Sequence, residues 1–248
     1  GSGAIAAGTG SDVTGTSTIL TLIQPEPVIA SGISNVLSAA GDWGSFTLLD
    51  AGGDAVRWAR RAFHDNALSY ADVDEAASRS VPGANRLFFL PYLSGERFGE
   101  HRNSRAQFFG LTAGHQLSDM HRAVLEGVAF SVRLELDRLQ QGHTRPDRII
   151  AASGGAKSAL WLSIKASMYR TPYLVAEEPE CGIIGAGILM AVATGAADSV
   201  AAATARMVRL GPAILPDPNA ADRYDTMMPI YSRLYESSKA YWDDLDAL

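Results

Sequence analysis

The stretch Arg148–Ala176, RIIAASGGAKSALWLSIKASMYRTPYLVA, reads as strand, turn, helix, strand. The apolar run RIIAA is cut by the glycine-containing turn SGGAKS, a helix spans about Ala159 to Tyr169, and PYLVA returns as a second short strand. A Gly- and Ala-rich helix from Gly182 to about Thr194 follows. This alternation predicts an α/β layered domain with at least part of its sheet parallel.

Towards the N-terminus the period changes. β-branched residues crowd Val13–Ile23, VTGTSTILTLI, around a Gly, Ser, Asp and Thr cluster, which predicts a hairpin or meander over Ala4–Ile23. After a loop through Gly41, Asp42 and Trp43, the segment LLDAGGDAVRWARRAF switches to helical spacing, with Ala55, Val56, Ala59 and Phe63 on one face. LFFLPYL, Leu87–Leu93, reads as a buried strand ending in the polar loop SGERFGEHRNSR. A long helix runs from an N-cap at Ser118 to about Gln140, with Met120, Val124, Val128 and Val132 at four-residue steps and Gly142 as its stop. The tail from Tyr224 reads as an amphipathic helix rich in Tyr.

Composition narrows the function classes. At 248 residues and 47% hydrophobic content the chain supports one sizeable core, and it is read as a single domain, 1–248. The net charge of −6 is spread along the sequence with no block of Lys and Arg, so nucleic acid is not an expected partner. Cys181 is the only cysteine, which rules out an internal disulfide and a cysteine metal cluster and fits a reducing, cytoplasmic setting. The uncharged run Cys181–Ala197 is short for a membrane span and reads as a buried helix. No membrane partner is expected.

Three places offer backbone geometry suited to an anion. In IIAASGGAKSAL two glycines stand between a strand and a helix, where N–H groups and a helix N-terminus can meet a phosphate or an adenosine; a plain tight turn explains the same residues equally well. The turn GTST, Gly15–Thr18, can donate to a phosphate or merely cap itself. Gly52 and Gly53 before Arg57 and Trp58 form a third candidate cradle, or a steric accommodation of helix against neighbour. His64, His101, His115, His121 and His143 show no metal-ligand spacing, no catalytic triad is visible, and no internal general base stands out.

Taken in order, these segments resemble the C-terminal domain of the FGGY family of carbohydrate kinases across nearly the whole chain. FFGLTAGHQLSDMHRAVLEGVAF, Phe108–Phe130, is similar to the family's second signature through Gly110, Leu111, Asp119, Met120, Ala123 and Glu126. LPYLSGERFGEHRNSRAQFFGLT is similar to the loop before that signature in pentulose kinases, ASGGAKSALW to the adenine-side motif, and ECGIIGAGILMAVATG to the closing helix. Ala106 and Phe98 stand where the family commonly has Gly and Pro.

The resemblance implies an actin-like, ribonuclease H-like ATPase domain, a mixed sheet flanked by helices. It would be the C-terminal nucleotide-binding half of a sugar kinase, partnered by the protein's own N-terminal sugar-binding domain and suggestive of a homodimer. It implies ATP or ADP with Mg²⁺ as cofactors. Thr16 would hydrogen-bond the outer phosphates, Gly53 and Arg57 would lie along the nucleotide, and Gly154, Gly155 and Ala159 would flank its adenosine. The expected reaction is ATP-dependent phosphorylation of a sugar hydroxyl, with a pentulose such as xylulose as substrate. Other readings are another ketose, a polyol, a small signalling molecule, or an actin-like domain used for regulation or interaction. The family's catalytic Asp would precede residue 1, which leaves the isolated chain inactive. Asp12 is the nearby candidate inside it.

Overall fold

The computed structural model describes residues 1–99, 101–140 and 145–248. Its centre is a six-stranded mixed sheet in the order β3-β4-β2-β1-β7-β8. The strands β1 (Thr9–Thr14) and β2 (Thr18–Gln24) form the expected antiparallel hairpin, and β4 (Trp43–Leu49) and β3 (Ser34–Leu37) extend it antiparallel. On the other side of β1, β7 (Arg148–Ala152) and β8 (Tyr173–Val175) pair parallel, which is the arrangement the strand–helix–strand unit requires. The strand read at Leu87–Leu93 is shorter, β5 (Phe88–Leu90), and pairs with β6 (Gln107–Phe109) in a separate two-stranded sheet.

The helices are α1 (Gly53–His64), α2 (Tyr70–Ser78), α3 (Leu117–Leu139), α4 (Ala159–Tyr169), α5 (Cys181–Ala193), α6 (Val200–Met207) and α7 (Pro218–Asp246). The central one is α3, which packs on β2, β4 and β5 and is flanked by α1, α2, α4 and α7. Three aromatic side chains that surround it bury their rings and spend their polar tips on its carbonyls. Trp161 donates to Leu125 at 2.9 Å, Tyr231 to Gly127 at 3.1 Å and Tyr169 to Ala129 at 3.2 Å. Gly127 is needed for the close approach of β5, since a Cβ there would stand 2.2 Å from the Phe89 carbonyl oxygen.

Several sequence readings change. Ser118 is not the N-cap of α3. Gln116 is, in a reciprocal box where its side chain accepts from the Asp119 amide and the Asp119 carboxylate accepts from the Gln116 amide at 2.9 Å. The proposed stop at Gly142 lies outside the described residues. Helix α7 begins at Pro218, capped by Asp217, well before Tyr224. The helix α5 is not buried: of its residues only Ile188 is, while Ile183 and Met190 are 71% and 63% exposed. Uniform apolarity marks a helix that needs covering without saying what covers it.

One buried contact ties α1 to α3. His121, 1% exposed, places Nε2 at 2.9 Å from Nε2 of His64, the rings nearly parallel with centroids 5.1 Å apart, and the ring of Phe63 meets it edge-on. Burial, and then the neighbouring His64, hold His121 down to about 4. A histidine with its folded value depressed binds its proton more readily in the unfolded chain, where the ordinary value is about 6.5. Its contribution is therefore complete above about pH 6.5 and lost as pH falls towards 4, each pH unit in that window costing up to about 1.4 kcal/mol. Thermal melts between pH 7 and pH 4.5 are expected to show a falling midpoint, and His121→Phe is expected to flatten that fall.

Candidate nucleotide site

A cleft of about 460 Å³ opens where the β1–β2 turn, the start of α1, helix α2 and the β7–α4 turn converge. Its walls include Gly15 and Thr16 from the hairpin, Gly53 and Arg57 from α1, and Gly154 and Gly155 from the β7–α4 turn. Thus five of the six residues expected along a nucleotide, Thr16, Gly53, Arg57, Gly154 and Gly155, face one space. Ala159 stands just outside it, and its neighbours Ser158 and Trp161 line the wall instead.

The hairpin turn is held from both sides. Gly15 N–H donates to the Ser17 carbonyl at 2.9 Å, and the first amides of α1 donate back to the turn, Gly53 to Gly15 and Asp54 to Thr16, each at 3.0 Å. The N-terminus of α1 therefore spends these two donors on the hairpin and does not form an open anion cradle. The glycine pair has a steric purpose: a Cβ on Gly52 would lie 2.3 Å from Thr18 Oγ1, and one on Gly53 would lie 2.1 Å from the Gly15 carbonyl oxygen. On the opposite wall Ser153 adopts φ 69°, ψ −162°, a conformation that a non-glycine residue rarely takes, immediately before Gly154. A Cβ on Gly155 would strike Thr14 Cβ at 2.6 Å, so the turn and the hairpin meet backbone to side chain at the cleft floor. Ser158 then caps α4 by accepting from the Trp161 amide at 3.0 Å.

Charge is placed on both sides. Arg57 pairs with Asp54 at 2.8 Å while remaining largely exposed, and Lys157 faces the cleft from the other wall. Helix α2 supplies Tyr70, Ala71 and Asp74. The guanidinium of Arg60 lies 4.7 Å from the Tyr70 ring centroid and holds it as a flat surface beside the cleft. Burial pushes the Asp74 carboxyl up, and the Ser158 hydroxyl bonded to it pulls it back down. None of these α2 residues was read from the sequence. The signal was the capping box at Ser69 and Asp72, which marks the start of a helix.

Asp12 is not in the cleft. It is 1% exposed and both carboxylate oxygens are occupied: Oδ1 accepts from Thr14 at 2.6 Å, and Oδ2 accepts from Lys165 at 2.8 Å and from Tyr173 at 3.0 Å. Among the described residues no group of three or more His, Cys, Asp or Glu is placed to hold a metal ion. No helix among them is long and apolar enough to cross a membrane.

A mixed sheet whose hairpin turn and strand–helix turn face each other across a nucleotide-sized cleft defines a domain of the actin-like ATPase class, the fold shared by its structural neighbours. The chain belongs to the FGGY family of carbohydrate kinases, whose C-terminal domain profile matches residues 10–194. It is 28% identical over 197 residues to a xylulose kinase of Staphylococcus epidermidis, covering 79% of this chain and 39% of that protein. It is 34% identical over 200 residues to the gluconokinase of Bacillus subtilis, covering 75% and 39%. The ligand-bound xylulose kinase of Lactobacillus acidophilus superposes with a TM-score of 0.91 at 25% identity, over 98% of this chain and 50% of that one. Gluconate kinase of the same species gives 0.91 at 26%. The chain thus spans half or less of the length of these relatives.

Proposed function

We propose that this chain is the nucleotide-binding half of an ATP-dependent sugar kinase. The observation that carries the reading is the convergence of Thr16, Gly53, Arg57, Gly154 and Gly155 on one cleft of about 460 Å³. Its size suits a nucleotide. Gly53 and Gly155 are sites where a Cβ would collide with a neighbouring wall, and Arg57 and Lys157 bring positive charge for phosphates. ATP supplies the phosphoryl group, and Mg²⁺, a hard cation that keeps phosphate and water ligands, would be held mainly by the phosphates. The chain's own part is positional. The Thr16 hydroxyl would donate to an outer phosphate, Arg57 would neutralise charge, and the Gly154–Gly155 turn would admit the nucleoside with Trp161 and Tyr70 as apolar surfaces.

The catalytic base is assigned to the rest of the parent protein. Asp12 is completely buried and hydrogen-bonded at both oxygens, so it has no path to a sugar hydroxyl. The exposed apolar face of α5, with Ile183, Leu189 and Met190, supports docking of the sugar-binding half there. The substrate is read as a small sugar or sugar acid, a pentulose such as xylulose or an aldonic acid such as gluconate, because relatives bearing both names match over comparable lengths.

Calorimetry with MgADP and MgATP tests the reading. Binding in the micromolar to millimolar range, lost in Thr16→Ala and Gly155→Asp, is the expected result; no binding at millimolar nucleotide refutes a half-site in this chain. Coupled assays of the parent protein with xylulose and gluconate decide between the two substrate classes.

A further inference from the structure

Beneath the hairpin turn lies a charged cluster that neither the cleft lining nor the phosphoryl chemistry uses. Lys165 on α4 and Asp12 on β1 are each 1% exposed and pair at 2.8 Å. Lys165 Nζ also donates to Thr14 Oγ1 at 2.9 Å and lies 4.4 Å from the Trp161 ring centroid. Thr14 gives its one hydroxyl proton to Asp12 at 2.6 Å, so the Thr18 hydroxyl, 3.0 Å away, must donate to Thr14. Thr14 and Thr18 are the register pair that closes the β1–β2 turn, the turn that carries Gly15 and Thr16.

Thr14 is therefore a hub for three walls. It closes the hairpin, its side chain is what a Cβ on Gly155 would strike, and its partner Thr18 is what a Cβ on Gly52 would strike. The ammonium group that fixes Thr14 also sits over Trp161, which lines the cleft. A buried ion pair adds little net stability over an apolar pair of similar volume, so its influence lies in the geometry that it enforces.

We propose that the Lys165–Asp12 pair is a positioning device. Acting through Thr14, it sets the phosphate-facing hairpin turn against the Gly155 turn, and so governs the phosphate part of nucleotide affinity. The proposal rests on the nucleotide reading given above. Lys165 and Asp12 touch no ligand themselves, which makes them positioning residues and separates this role from that of a base.

Two variants test it by different routes. The double variant Asp12→Leu with Lys165→Met removes both charges together and leaves no orphaned ion, so it is expected to fold. Thr14→Val keeps the ion pair and the β-branched shape and removes only the hydroxyl that links the pair to the hairpin. Adenosine, MgADP and MgATP are titrated into the parent chain and both variants, with thermal unfolding alongside. The expected result is an adenosine affinity close to that of the parent and a loss of about tenfold for MgADP and MgATP, the scale of one misplaced hydrogen bond to a charged group. An equal loss for adenosine and the phosphorylated ligands, or an unchanged MgATP affinity, overturns the proposal and leaves the cluster a packing feature. If the double variant does not fold, Thr14→Val decides on the same criteria. Failure of the parent chain to bind any of the three ligands overturns the nucleotide reading and this proposal with it, a result distinct from selective retention of MgATP by the variants.

Discussion

Glu126→Ala is expected to destabilise the domain by about 3–5 kcal/mol, the cost of leaving a buried charge without its partner. Glu126 Oε1 accepts from three donors: Arg122 Nε at 2.7 Å, Tyr224 at 2.8 Å and the Gly83 amide at 3.0 Å. Arg122 is itself buried, and its other nitrogens reach the Ser80 carbonyl at 2.9 Å and the Tyr224 hydroxyl at 3.2 Å. The group joins α3, α7 and the segment between α2 and β5, so its loss unpins three parts of the core at once. Against a typical total of about 5–15 kcal/mol, such a loss consumes a large share of the stability. Urea unfolding of Glu126→Ala and Glu126→Gln checks it. The amide keeps the shape and an acceptor oxygen, so Glu126→Gln is expected to cost less than Glu126→Ala; equal midpoints for all three proteins would show that the pair contributes nothing.

Glu126 also shows what a sequence can and cannot disclose. Its place in the Phe108–Phe130 segment marked it as part of a family signature, and the structure buries it in an ion pair that ties α3 to α7 and to the segment before β5. The strand–turn–helix–strand unit was legible because Ile149, Ile150, Gly154 and Gly155 carry local signals for strand and turn. The β1–β2 hairpin was legible because β-branched residues flank Gly15. The strands β3 and β4 went unread: WGSFTLL follows a loop-like Gly41-Asp42 pair, and its strand character is completed by pairing with β2 along its whole length.

Part of the site was hidden for a related reason. Thr16, Gly53, Arg57, Gly154 and Gly155 announced themselves through glycines beside elements, and they converge. Tyr70 and Asp74 belong to a short helix marked by little beyond its capping box, and their relevance comes only from where α2 packs. The Lys165–Asp12 pair joins residues 153 positions apart, a contact that no local pattern encodes. The exposed face of α5 was misread because an apolar helix in sequence says only that its residues avoid water, whereas here Ile183, Leu189 and Met190 lie open on the surface.

Gly53→Ala is expected to damage both stability and nucleotide affinity. The added methyl would point at the Gly15 carbonyl oxygen from 2.1 Å, a backbone atom that cannot rotate away, and it would break the 3.0 Å hydrogen bond from the Gly53 amide to that same oxygen. Relief requires the hairpin turn to move off the start of α1. Overpacking of this kind costs about 1–3 kcal/mol. The same displacement carries Thr16 away from its place in the cleft, so MgATP affinity is expected to fall by at least about tenfold, on the scale of a lost phosphate contact. Gly182→Ala is the matched control: in α5 a Cβ meets nothing within 4 Å, and exchanging glycine for alanine in a helix is worth about 0.5–1 kcal/mol in favour of the variant. Melting and calorimetry on the two proteins separate the causes. A Gly53→Ala protein that melts lower and binds weakly, beside a Gly182→Ala protein that does neither, places the sensitivity at the hairpin–helix contact; a Gly53→Ala protein with the parent's MgATP affinity would show that this contact does not set the phosphate site.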